Sequence, residues 1–147
     1  MARMKLELPE RFDFSIEIPV RIENINYGGH LGNDSLLSLV HEARLRFLKA
    51  NGFTEADIGG VGIIMVDTVI IYKSESFHGD VLKFDVTVDN IGKTGCDFFF
   101  RVTNIATKED VAHVKTGVVF FDYKARKVAP TPPEFTDLFG RQTEKKR

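Results

Sequence analysis

The sequence predicts an α+β domain in which a five-stranded antiparallel sheet wraps around one long central helix. Three observations carry that prediction. Strand-forming runs occur once before residue 25 and four times after residue 60. Between them, one stretch places apolar residues at helical spacing. A single striped helix must bury its stripe, and the inner face of the sheet is the partner the sequence offers.

Phe12, Phe14, Ile16, Ile18, Val20 and Ile22 fall on alternate positions, so residues 12–22 read as a strand with one buried face. Residues 24–33 carry Gly28, Gly29 and Gly32 and read as a loop. Asn33 or Asp34 is expected to cap the following helix, because either side chain accepts a bond from a free backbone N–H. Leu36, Val40, Ala43 and Phe47 make the apolar stripe, and Leu37, Leu39 and Leu48 widen it. Asn51-Gly52 supplies a left-handed stop. Residues 61–72 form a β-branched strand. In residues 81–91, Phe84, Val86 and Val88 take one face while Lys83, Asp85, Thr87 and Asp89 take the other. Residues 95–105 and 111–123 complete the set. The connections at 78–80, 92–95 and 106–110 are short enough for antiparallel neighbours. One domain over residues 1–140 follows; the chain beyond Pro133 is expected to fray, with 141–147 a disordered tail.

Composition narrows the function. A chain of 147 residues suits one domain, and its 43% hydrophobic and 28% charged content is ordinary for a globular protein. A formal net charge of -1 leaves no basic excess for neutralising nucleic-acid phosphates, though a local patch for one phosphorylated ligand stays open. Cys96 is the single cysteine, so no intrachain disulfide or thiolate cluster can form. It reads as a small buried hydrophobe. His41, His78 and His113 lack metal-ligand spacing, and no metal is expected. Residues 1–11 lack an apolar signal core, and no run approaches the ~18 apolar residues of a membrane span. A cytoplasmic location is the expectation.

Residues 24–44 read NINYGGHLGNDSLLSLVHEAR. This resembles the opening signature of the 4-hydroxybenzoyl-CoA thioesterase superfamily, the hotdog fold, at Gly29, His30, Asn33, Glu42, Ala43 and Arg44. Tyr72 followed by His78-Gly79-Asp80, then Ile91-Gly92-Lys93-Thr94, then Pro130-Thr131-Pro132 continue the likeness in order, over roughly residues 12–135. The resemblance implies hydrolysis of acyl-CoA or acyl-carrier-protein thioesters without metal or organic cofactor, coenzyme A entering only as part of the substrate. It implies a homo-oligomer, dimer or dimer of dimers, with active sites at subunit interfaces. It also implies that amides at the start of the helix hold the thioester oxygen while a carboxylate drives attack by water. Here the family's loop aspartate falls on Asn26, and a carboxamide can orient water but cannot take its proton.

Each candidate residue has a chemical and a structural reading. The amides of Leu31, Gly32 and Asn33 form an oxyanion hole at the positive end of the helix, or are merely capped by Asn33 or Asp34. Glu42 replaces Asn26 as base or nucleophile, or pairs with Arg46 one turn on. His30 positions substrate, donates to the leaving thiolate or acts as base, or holds the glycine-rich loop. Lys93, Thr94, Lys124 and Arg126, with Lys127, hold coenzyme A phosphates or are ordinary turn residues. The leading expectation is thioester hydrolysis by Glu42 and His30 with Asn26 holding the water. The alternative is a hotdog protein that binds acyl-CoA without cleaving it, marked by Asn26. A hydratase or dehydratase on this fold ranks behind both, because its usual aspartate–histidine pair is not evident.

Overall fold

The computed structural model describes residues 4–145, with side chains as far as Gly140. The order is strand β1 (Phe14–Pro19), a 3-10 turn at Ile22–Asn24, helix α1 (Asn33–Ala50) and strand β2 (Gly62–Tyr72). Strands β3 (Val81–Asp89), β4 (Gly95–Asn104) and β5 (Asp110–Asp122) follow, then a short β6 (Lys127–Val128) and helix α2 (Pro133–Lys145). The sheet runs β1-β3-β4-β5-β2, antiparallel throughout, and β6 pairs with β5. This is the expected α+β hotdog arrangement.

Period-two patterning decides which face is inside. Phe84, Val86 and Val88 on β3 and Phe98 and Phe100 on β4 are fully buried, and α1 packs Leu36, Leu39, Val40, Ala43, Phe47 and Leu48 into the same core. Phe47 meets Phe14 at 5.7 Å and Phe98 at 6.0 Å, both edge to face. A buried aromatic of this kind contributes about 2–3 kcal/mol relative to an exposed one. Gly52 follows Asn51 with φ +84, the left-handed stop read from the sequence.

Several expectations are corrected. The regular part of β1 covers Phe14–Pro19 rather than 12–22; the chain then bends into the 3-10 turn, and Ile22 lies exposed. Leu37 points outward instead of widening the stripe. Neither Asn33 nor Asp34 caps α1: Gly32 is the N-cap, with extended backbone and no side-chain bond. The segment after Pro133 is helical through Lys145, with Phe135 and Phe139 one turn apart and both buried. Phe135 packs on Phe139 at 4.8 Å and Phe120 at 5.2 Å, so α2 closes the aromatic core alongside α1. Of the expected tail at 141–147, residues 146 and 147 and the side chains from 141 onward lie outside the described residues.

The largest correction concerns connectivity. β2 and β3 are not neighbours: β2 pairs with β5 at one edge, whereas β3 pairs with β1 and β4. The link at residues 73–80 is therefore a crossover spanning the intervening strands, roughly 14 Å at about 4.8 Å per strand, within easy reach of eight residues. It passes the tip of α1, where the Leu31 N–H donates to the Ser76 carbonyl at 2.8 Å. That crossing creates the site.

Candidate active site

The loop before α1 is held by its own polar groups. Asn26 Oδ1 accepts the Gly28 N–H at 2.9 Å, the Asn26 N–H donates to the His30 carbonyl at 2.9 Å, and Gly29 donates back to the Asn26 carbonyl at 3.0 Å. Gly29 takes φ +83, which an L side chain rarely adopts. The His30 ring lies over Gly28: a Cβ there would meet Nε2 at 3.3 Å and Asn26 Oδ1 at 3.2 Å. His30 Nδ1 stands 3.2 Å from the Leu31 carbonyl. A carbonyl only accepts, so Nδ1 carries a proton in this contact, and in the neutral imidazole that leaves the lone pair on Nε2.

The three amides proposed as thioester donors divide two to one. Leu31 donates to Ser76 and Gly32 donates to the Asn24 carbonyl at 3.0 Å, so both are committed within the chain. The Asn33 N–H has no acceptor among the described residues and belongs to the unsatisfied first turn of an 18-residue helix. Beside it opens a cleft of about 300 Å³, lined by His30, Leu31, Asn33 and Leu36 on one side and by Val111 and residues 72–76 on the other. Tyr72 contributes a phenol whose partial burial pushes its titration above the usual range, leaving an O–H donor at neutral pH. Glu75 is an exposed carboxylate on the same wall, while Ser76 is buried there. Residues 72–76 were not singled out from sequence as site residues: Tyr72 entered only through the family likeness, and Ser74-Glu75-Ser76 is a short polar run between two strands.

Glu42 is not part of this cleft. It accepts the Arg46 Nε at 2.7 Å, half exposed, the helical ion pair foreseen as its structural reading. Nine residues beyond Asn33, it stands about 13 Å further along the helix axis. There it borders a separate groove with Phe14, Ile16, Leu45, Lys49 and Ala50. Asn26 and His30 are thus brought together, and Glu42 is not joined to them within one chain.

The basic candidates lie at the far end of the sheet. Lys93 and Thr94 occupy the β3–β4 turn and Lys124 and Arg126 the β5–β6 turn, and a bond from the Phe120 N–H to the Thr94 carbonyl ties the first turn to the end of β5. Lys127 begins β6 beside them. The cleft touches the opposite end of β5 at Val111, a 13-residue strand of roughly 40 Å at ~3.3 Å per residue. These turn residues and the cleft therefore do not share one end of a single chain.

Arg44, part of the sequence signature, has a structural role. Its side chain is buried, its Nε donates to Glu55 Oε2 at 2.7 Å, and its Nη1 approaches Thr116 Oγ1 at 3.5 Å. His41 Nε2 meets the other Glu55 oxygen at 2.8 Å. Burial alone would raise the Glu55 carboxyl, but the bonds and charges from Arg44 and His41 outweigh it and hold the group below its ordinary value. Cys96 is buried, and desolvation with the Asp97 charge pushes its thiol far up, so it is no nucleophile. Among the described residues, no three His, Cys, Asp or Glu side chains are grouped to hold a metal ion. No described helix is long and apolar enough to cross a membrane.

Comparison with known proteins agrees with the fold. A 1,4-dihydroxy-2-naphthoyl-CoA thioesterase from Synechocystis superposes with TM-score 0.76 at 20% identity, covering 84% of this chain and 92% of that one. A thioesterase-superfamily protein from Jannaschia sp. CCS1 gives TM-score 0.80 at 20% identity, covering 91% and 85%. A DHNA-CoA thioesterase from Staphylococcus aureus gives 0.75 at 19%, covering 89% and 88%. At such identities the likeness is one of fold. No curated protein sequence matches. The family model of the thioesterase-like superfamily matches residues 20–139. The chain belongs to the thioesterase-like superfamily.

Proposed function

We propose that the protein hydrolyses an acyl-CoA thioester to free acid and coenzyme A at the tip of α1. The observation that carries this reading is the cleft where an unpaired Asn33 amide and the His30 ring meet. The thioester oxygen takes the Asn33 N–H at the positive end of the helix, where developing negative charge is stabilised. His30 Nε2, its lone pair kept by the Nδ1 contact, removes a proton from water as the water oxygen bonds to the carbonyl carbon. The tetrahedral intermediate then collapses, the C–S bond breaks, and the imidazolium returns the proton to the departing sulfur. Asn26 Oδ1 is spent on Gly28, so its Nδ2 is the atom left to hold the water.

Glu42 joins this scheme only when a second copy brings its helix alongside, and Lys93, Thr94, Lys124 and Arg126 hold coenzyme A phosphates only across the same contact. A homodimer is supported by the β2 edge. That strand is 11 residues long, and Met65, Val66 and Tyr72 on it are exposed. An apolar strand edge of this length invites pairing. Binding of the same acyl-CoA without cleavage is the second reading, favoured by the carboxamide at Asn26.

A thiol-release assay across an acyl-CoA panel tests the proposal. His30→Gln is expected to lose about 10²–10⁴ in kcat, the usual contribution of a general base. Wild-type rates retained by both His30→Gln and Glu42→Gln would end this mechanism. Tight binding with no turnover by the wild type would select the second reading.

A further inference from the structure

We infer that Ser76, on the β2–β3 crossover, is a second hydrogen-bond donor to the thioester oxygen, completing the hole that the Asn33 amide begins. The inference rests on the thioester reading of the cleft. Ser76 is 1% exposed, and its Oγ has no hydrogen-bond partner among the described residues. A buried hydroxyl left unpaired costs about 1–3 kcal/mol, so an unpaired one at a site calls for a ligand to satisfy it. Ser76 lines the cleft at the tip of α1 together with His30 and Asn33. Its carbonyl receives the Leu31 N–H at 2.8 Å, which pins the serine against the loop that begins the helix. With the Leu31 and Gly32 amides committed, Asn33 is the one of those three amides left to donate, and the serine hydroxyl adds a side-chain donor to it.

The two residues just before it do not compete for this role. Ser74 Oγ already donates to the Asp110 carbonyl at 2.9 Å. Glu75 offers a carboxylate, which only accepts. The Ser76 hydroxyl is shielded from solvent as it stands, so a turn of χ1 between staggered positions is required to bring it to an arriving carbonyl. A bond to the carbonyl that strengthens as charge develops on the tetrahedral oxygen lowers the barrier more than it tightens ground-state binding.

Ser76→Ala tests this against the wild-type protein. Loss of one such donor predicts a kcat fall of about 10²-fold with KM within about twofold. A ketone analogue of the thioester, ¹³C-labelled at the carbonyl, is bound to both proteins and its C=O stretch read by difference infrared. The stretch is expected at higher frequency in Ser76→Ala, where the bond is gone. Thermal unfolding of Ser76→Ala is expected at or above the wild-type temperature, because an unpaired buried hydroxyl has been removed. An unchanged kcat and carbonyl frequency, or a lowered melting temperature with an unshifted stretch, overturns the inference. Absence of turnover in the wild type would instead overturn the thioester reading, and the infrared comparison would still decide whether Ser76 touches the carbonyl.

Discussion

Replacing Glu55 by glutamine should destabilise the protein by about 2–3 kcal/mol at neutral pH, through Arg44 rather than through Glu55 itself. The Arg44 side chain is 6% exposed, and its one short bond is the 2.7 Å contact to Glu55. The remaining contact to Thr116 is at the 3.5 Å limit. Removing one partner of a buried pair typically costs 3–5 kcal/mol, because the other charge stays buried without compensation. Glu55 is 25% exposed, so water partly replaces the lost carboxylate and the lower figure applies. For a chain of this size that corresponds to a fall of about 5–10 °C in melting temperature. The pH dependence supplies the decisive control. The folded-state carboxyl is held below its ordinary value, so its stabilisation is complete above the unfolded-state value near 4.5 and is lost as pH falls through the lower folded one. Melting curves of wild type and Glu55→Gln should therefore differ at pH 7 and converge in acid below that window. Equal melting temperatures at pH 7, or a gap that persists undiminished at low pH, would refute the reasoning.

Two further perturbations probe the core and the loop. Phe135→Ala should cost about 3–5 kcal/mol in denaturant unfolding, since the ring is fully buried and stacks on Phe120 and Phe139; a cost below about 1 kcal/mol would mean that α2 does not close the core. Gly28→Ala should reduce turnover while leaving the melting temperature within a few degrees, because its Cβ would press on Asn26 Oδ1 and on Nε2 of His30, a ring that lines the cleft; unaltered kinetics would show that the ring does not work from that position.

The strands and α1 were legible because each has one buried face, and burial imposes a period on the sequence. Phe84, Val86 and Val88 show period two, and Leu36, Val40, Ala43 and Phe47 show the helical one. α2 was missed because its signal is only two rings one turn apart, Phe135 and Phe139, among polar neighbours and after a proline-rich stretch. Those rings find a partner only once Phe47, Phe98 and Phe120 have been assembled from three distant segments. The cleft divides the same way. Asn26 and His30 sit in a local loop whose glycines announce it. Ser76 reaches α1 only because β2 and β3 are not neighbours, and spacing along the chain carries no trace of that crossover. Glu42 looked chemical because it lies off the apolar stripe, yet the nearest cation along the helix claims it.

The placement of α2 bears on how the molecule assembles during synthesis. Every strand of the sheet and the whole of α1 leave the ribosome before Phe135 does. Until then, the aromatic cluster around Phe47 and Phe120 lacks its lid, and the nascent chain displays a greasy recess to any holdase or sticky neighbour. That seal is added by α2, so removing the helix should send the chain toward inclusion bodies rather than merely trim it.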